Sequence, residues 1–279
     1  MIKTNYHTHT SFCDGADQIE SLIQEALKKD FKILGLSSHS MYPFASTWHI
    51  PPNDYENYEK TAKDLAKKYE NQIQILFGFE ADFVPPFSWP DFKIYKRFSP
   101  DFLIGSVHYI FTPKGHLCVD YPAEKLKQKI DELFNGNTKK LTQEYFFQER
   151  EMIKNCDFTI LGHADLIRKN NAKLNLFNEN DSWYRNEIKA TAKLLSKSNA
   201  IVEINTGGMA RKTIDCPYPS KEFLSLLCQY KVPVTFSSDC HQKELLDFEM
   251  ERAIKEAKTA GYTELAYIEK GNNIKFQKI

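Results

Sequence analysis

IKTNYHTH, residues 2–9, is a short β-prone run that ends in a polar cluster, and six later stretches repeat that form. They are FKILGLSSH (31–39), IQILFGFE (73–80), DFLIGSVH (101–108), DFTILGHAD (157–165), AIVEINTGG (200–208) and VPVTFSSDCH (232–241). Short apolar, partly β-branched runs of this kind read as seven strands. Helical spacing fills the intervals. Between Asp17 and Lys29, residues Ile19, Leu22, Ile23, Ala26 and Leu27 share one helical face, with Asp17 placed as the N-cap and Glu20 three residues on. Tyr55–Tyr69, Glu144–Ile153, Trp183–Leu195, Glu222–Cys228 and Asp247–Ala257 read similarly. Strands alternating with helices imply a parallel sheet, because a parallel crossover needs room for a helix.

An open doubly wound sheet gathers its site at one switch point. Here nearly every strand ends in ionisable residues, which points to a closed barrel with its site at the carboxyl ends of the strands. The expected fold is α/β, a distorted (β/α)7 TIM-like barrel, with residues 1–279 as a single domain. Stretches near 110–142 and 169–181 are expected as insertions, the first decorating the barrel mouth.

With 42% hydrophobic residues the 279-residue chain can bury a sizeable core, and 37 basic against 37 acidic side chains leave no net field to draw a polyanion. No nucleic-acid or membrane partner is expected. MIKTNYHTHT lacks the apolar core of a signal peptide, and no apolar run reaches the roughly 18 residues of a membrane span. Six scattered cysteines without a CxxC pair suit reduced thiols, so a cytoplasmic protein is expected. Composition carries no signal for oligomeric state.

Six of the eight histidines, His7, His9, His39, His108, His163 and His241, fall at or just beyond a strand end. Residues two apart on a strand face the same side, so His7 and His9 can address one cation. Glu80 and Asp239 end two other runs and Asp14 follows the first, supplying the anionic oxygens that zinc, manganese or iron require among neutral imidazoles. Nine donors exceed the four that one tetrahedral zinc takes and suit two or three divalent ions. Adjacent ions hold a hydroxide nucleophile and stabilise the oxygens of an in-line displacement, so phosphoester hydrolysis is the leading expectation. Only six arginines stand against 31 lysines, yet Arg168 and Arg211 follow the fifth and sixth strands, where a guanidinium fork can grip phosphate. The loop Met41–Pro52, with Trp48 and His49, is placed to cover the substrate. Cys13 and Cys240 adjoin donors but lack a partner base and read as packing residues.

The ordered motifs HTHTSFCDG at His7, SSHS at His39, FGFEADF around Glu80, GSVHY at His108, GHAD at His163 and SSDCH at Asp239 resemble the polymerase-and-histidinol-phosphatase (PHP) family of metal-dependent phosphoesterases. FCDGAD, SHSMYPF and GHADLIRK followed by INTGGMARK are most similar to its histidinol-phosphate phosphatases. The resemblance implies a PHP-type (β/α)7 barrel, a trinuclear site and hydrolysis of L-histidinol phosphate in histidine biosynthesis. It implies that His7, His9, Glu80 and Asp239 hold a first ion, with Glu80 bridging to a second held by His108 and His163. Asp14, His39 and His241 would hold the third; many family members carry histidine where Asp14 stands. Glu80, Asp239 and His241 are the expected catalytic residues, with Asp239 or His241 as one source of the leaving group's proton.

Three other readings compete. Another phosphoesterase of the family would act on a different small ester or a nucleotide. An amidohydrolase barrel also begins with HxH, but it usually bridges its metals with a strand-end lysine, and no lysine ends a run here. A non-catalytic metal-binding module would be expected to lack ligands, whereas the set looks complete.

Overall fold

The structure is a computed structural model that describes residues 1–279. In chain order its strands are β1 (Lys3–Asn5), β2 (Phe31–Leu36), β3 (His39–Ser40), β4 (Gln74–Asp82), β5 (Phe102–Ser106), β6 (Tyr109–Thr112), β7 (Gly115–Cys118), β8 (Ile160–Leu161), β9 (Ile201–Asn205), β10 (Val234–Ser237), β11 (Glu264–Glu269) and β12 (Asn273–Lys278). The helices are α1 (Ile19–Lys28), α2 (Tyr55–Lys68), α3 (Ala123–Phe134), α4 (Thr138–Asn155), α5 (Asn171–Leu174), α6 (Ser182–Leu195), α7 (Gly207–Ala210), α8 (Lys221–Gln229) and α9 (Met250–Ala260).

One strand from each of the seven runs enters a parallel sheet in the order β1-β2-β4-β5-β8-β9-β10. The ends of this sheet meet through a parallel bridge between Thr8 and Cys240, where the His9 N–H donates to Cys240 O at 2.9 Å. The result is a nearly closed seven-stranded α/β barrel, as the alternation of runs and helices implied. The second run changes neighbours part-way: β2 pairs with the start of β4, and after Ser37–Ser38 the short β3 pairs further up β4, setting His39 opposite Glu80.

Period-two alternation along β4 explains how the site is built. Ile75, Phe77, Phe79 and Ala81 pack in the main core, which also holds Tyr55, Tyr58 and Ala62 of α2, whereas Leu76 joins the barrel interior. The interior-facing set therefore continues through Gly78 to Glu80 and Asp82 at the carboxyl end. Below them the interior is filled by Tyr6, Ile33, Leu76, Phe102, Ile104, Ile160 and Ile201. The Phe102 ring needs the space beside Gly35, where a Cβ would lie 2.7 Å from it.

Three features depart from the sequence reading. Asp17 does not cap α1: Gln18 is the N-cap residue and offers no side-chain cap bond. The Asp17 carboxylate instead accepts from the Lys243 backbone N–H at 2.8 Å and pairs with the Lys243 side chain, tying α1 to the loop after β10. Helix α4 begins at Thr138, six residues before the expected start, because Asn137 Oδ1 caps it by accepting from the Lys140 N–H. The chain also ends in an antiparallel hairpin, β11–β12, that the sequence did not announce. Ala266 and Ile268 of this hairpin pack under the barrel, and the Tyr6 hydroxyl accepts from the Ile268 N–H at 2.7 Å. Of the two insertions, residues 110–142 contain most of the β6–β7 hairpin, α3 and the start of α4, and residues 169–181 contain α5.

Candidate metal centre and active site

All nine sequence-derived donors meet at the carboxyl end of the barrel. Their ligand atoms form overlapping groups, each within 4.8 Å: His9, Asp14, His39 and His241; His7, His9 and Asp239; His7, Glu80 and His163; His39, Glu80 and His108. Glu80 is central. Its Oε2 lies 3.1 Å from His7 Nε2, 3.6 Å from His9 Nε2 and 2.6 Å from His39 Nδ1, while Oε1 lies 2.9 Å from His163 Nε2 and 3.6 Å from His108 Nε2. Despite these distances, Glu80 Oε2, His7 Nε2 and His9 Nε2 are buried atoms with no hydrogen-bond partner. Close approach without hydrogen-bond alignment is what donor atoms show when they face a shared point rather than one another. Orphaned buried polar atoms are costly, and a divalent cation would satisfy all three, so the residues present fit such an ion.

The backbone helps aim these donors. His163 (φ 22°) and Asp239 (φ 49°) both adopt left-handed conformations at strand ends, a cost of about 1 kcal/mol or more for each non-glycine residue. Behind the imidazoles stand carboxylates that fix their orientation. His7 Nδ1 contacts both oxygens of Glu203 at 2.9 and 3.0 Å, leaving Nε2 toward Glu80. His108 Nδ1 lies 2.6 Å from Asp82 Oδ1. Burial pushes the His7 ring toward neutrality, but Glu203, Glu80 and Asp239 outweigh it and hold its pKa well above the ordinary value. Burial is likewise outweighed at His108, which Asp82 and Glu80 lift to about 9. Burial alone would raise Glu80; His39, His7 and His108 instead hold it well below the usual carboxylate range.

A cavity of about 360 Å³ opens onto this cluster, lined by Asp14, His39, His108, His163, Asp239 and His241 together with Trp48, Asp120, Tyr121, Leu166 and Arg211. Arg211 Nη2 donates to Asp239 Oδ2 at 2.7 Å, so one guanidinium stands beside the donors and faces the cavity. The structure does not bring Arg168 to the same wall. Its guanidinium is buried, donating from Nε to Glu179 at 3.0 Å and from Nη2 to Cys216 Sγ at 3.2 Å, with Asp165 3.6 Å from Nη1. Asp165 and Glu179 hold this side chain, and of the two expected arginines Arg211 is the one that lines the cavity.

Asp239 has little freedom. A Cβ on Gly207 would fall 2.6 Å from Asp239 Oδ2 and 2.8 Å from its Cβ and Cγ. Gly207→Ala is expected to displace this carboxylate from His9 and Arg211 and to lower metal affinity by about tenfold or more. Metal analysis beside phosphate release checks this; unchanged values would mean that the carboxylate has room to yield.

Residues 5–207 match the PHP domain model, which covers most of the chain. The chain belongs to the PHP domain family. It is 28% identical to a probable histidinol-phosphatase of Schizosaccharomyces pombe across 95% of this chain and 89% of that one. It is 26% identical to the histidinol-phosphatase of Bacillus subtilis across 87% and 94%. Among solved structures, a putative histidinol phosphatase from Listeria monocytogenes superposes with a TM-score of 0.76 at 22% identity, covering 90% of this chain and 99% of that one. Histidinol phosphate phosphatase from Lactococcus lactis, solved with zinc, L-histidinol and phosphate, superposes with a TM-score of 0.73 at 18% identity, covering 98% of both chains. These two likenesses bear out the barrel fold.

Sequence reasoning missed two carboxylates of this PHP domain protein, Asp82 and Glu203, and misplaced one histidine. Asp82 could have been found as the residue two beyond Glu80 on the same strand face, and Glu203 as the lone acid inside the apolar run IVEIN. His49 was expected to cover substrate beside Trp48. Only Trp48 lines the cavity; His49 is buried, with Nε2 2.6 Å from Asp82 Oδ2. Asp82 attracts it inward because its second oxygen would otherwise be a buried, unpaired charge.

Proposed function

We propose that the protein is a metal-dependent phosphomonoesterase that hydrolyses L-histidinol phosphate to L-histidinol and phosphate in histidine biosynthesis. The observation that carries this reading is the convergence of nine potential metal-ligating groups at one rim of the barrel, six of which line a small cavity together with Arg211. Near full-length similarity to proteins named histidinol-phosphatase supports the choice of substrate. We place the whole chain, residues 1–279, in one barrel domain working in the cytoplasm; its six cysteines are all unpaired.

His7, His9, Glu80 and Asp239 would hold one ion, Glu80, His108 and His163 a second, and Asp14, His39 and His241 a third, drawn from Zn, Mn or Fe. Such ions, when bound, supply an activated hydroxide and neutralise phosphoryl oxygens. The chain's own residues do the rest. Arg211 binds the phosphoryl group and is oriented by Asp239, which burial would raise but Arg211 and His7 hold well below the usual carboxylate range. Asp239 thus stays ionised and is a poor acid. His241, with 26% of its side chain exposed at the cavity against 5% for Asp239, stands where solvent meets the cavity, and a solvent proton would reach the departing alkoxide on that side. Trp48 and Leu166 line the cavity and offer apolar surface to the imidazole-bearing part of the substrate.

Phosphate release should be measured on L-histidinol phosphate, p-nitrophenyl phosphate, nucleoside monophosphates and phosphotyrosine. The expected result is a kcat/KM for L-histidinol phosphate at least about a hundredfold above the rest, since buried polar contacts discriminate strongly. Turnover no faster than that of p-nitrophenyl phosphate would sink the assignment.

A further inference from the structure

The Met41–Pro52 loop is joined to the metal centre by an unbroken hydrogen-bonded chain. Within the loop, the Ser46 backbone N–H donates to His49 Nδ1 at 3.3 Å, and Ser46 Oγ lies 2.7 Å from the same nitrogen. A backbone N–H can only donate, so His49 Nδ1 is an acceptor and the ring proton sits on Nε2. That nitrogen donates to Asp82 Oδ2 at 2.6 Å. The other oxygen, Asp82 Oδ1, lies 2.6 Å from His108 Nδ1, which must therefore carry its proton. His108 Nε2 is left to point toward Glu80, 3.6 Å away. Each carboxylate oxygen of Asp82 is thus committed to one of these two rings.

The same histidine also seats the loop's aromatic residue. Trp48 stacks on the His49 ring with centroids 3.9 Å apart, and from there stands edge-on to His39 at 4.5 Å and to His108 at 5.2 Å. His49, Asp82 and His108 are each less than 5% exposed, so water does not compete for their bonds. Losing His49 would leave one oxygen of a buried carboxylate unpaired, and the carboxylate would rotate or admit water, loosening its hold on His108.

We infer that His49 is a positioning residue that couples the placement of the Met41–Pro52 loop to cation binding at His108. The inference rests on the metal-centre reading of Glu80 and His108 and is independent of which phosphate ester is the substrate. Its test is a titration of metal-free protein with cobalt(II) alone, followed by visible absorbance, for wild type, His49→Ala, His49→Gln and Ser46→Ala. Trp48 fluorescence, isolated by comparison with Trp48→Phe, reads the loop. His49→Ala is expected to weaken one cobalt-binding step about tenfold or more, to shift the Trp48 emission, and to raise KM more than it lowers kcat. His49→Gln, whose amide can donate to Asp82, should recover most of both signals. Ser46→Ala, which keeps the ring but loosens it, should move them the same way by a smaller factor. Cobalt binding unchanged in His49→Ala, or no recovery in His49→Gln, would overturn the coupling. Should His49→Ala fail to fold, unchanged cobalt affinity in Ser46→Ala would overturn it. A wild-type protein that takes up no cobalt removes both the metal centre and this inference. One that takes up cobalt but ignores L-histidinol phosphate removes only the substrate.

Discussion

Replacing Glu80 with alanine is expected to lower kcat/KM by about a thousandfold or more and to strip metal from the protein. Glu80 is the carboxylate about which the imidazoles of His7, His9, His39, His108 and His163 are arranged, all within 3.6 Å of one of its oxygens. Ser106 Oγ donates to its Oε1 at 2.7 Å and fixes its direction. Removing this anion leaves neighbouring cations to repel one another and takes away several kcal/mol of charge stabilisation, and about 4 kcal/mol corresponds to three decades in rate. Elemental analysis and phosphate release on the same sample make the test. A fully active, fully metallated Glu80→Ala protein would refute the bridging role.

Treating the protein with a strong chelator should reduce activity to background, and adding back divalent metal should restore it. The loss should also be visible as stability. A cation at about a hundredfold over its dissociation constant contributes about 2.7 kcal/mol to the folded state, which for a chain of this size moves Tm by about 5 °C. In the metal-free protein His7 lies well above the ordinary histidine range and His108 at about 9, so both rings hold a proton at neutral pH. A cation must displace those protons to bind, because only the neutral imidazole is a ligand. Metal affinity is therefore expected to fall as the pH is lowered, and titrations at pH 6 and pH 8 should differ in that direction. Equal affinity at both would show that the rings bind as they stand, without proton release.

The seven strands were legible because each run carries its own signature, an apolar stretch cut short by ionisable residues, and that signature survives without knowledge of the neighbours. The grouping of His7, His9, Glu80 and Asp239 was legible for the same reason, since residues at the strand ends of a barrel are forced to one rim. What escaped depends on partners remote in sequence. Asp82 matters because His49 and His108 reach it from two loops, and Glu203 because His7 reaches it from the end of a strand remote in sequence; neither relation leaves a local trace. Arg168 looked free to face a phosphate until Asp165 and Glu179 were seen to hold it. The β11–β12 hairpin was hidden by its composition. Its second strand, NIKFQK, is mostly exposed and alternates too weakly to announce burial beneath the barrel.

That hairpin makes the barrel a cup. With Ala266 and Ile268 packed against Tyr6 and the interior side chains, the floor is sealed, and the cavity at the opposite rim is the way in and the way out. Whatever reaches the donors and whatever leaves them must then take turns at one door. Trp48 stands in the frame of that door.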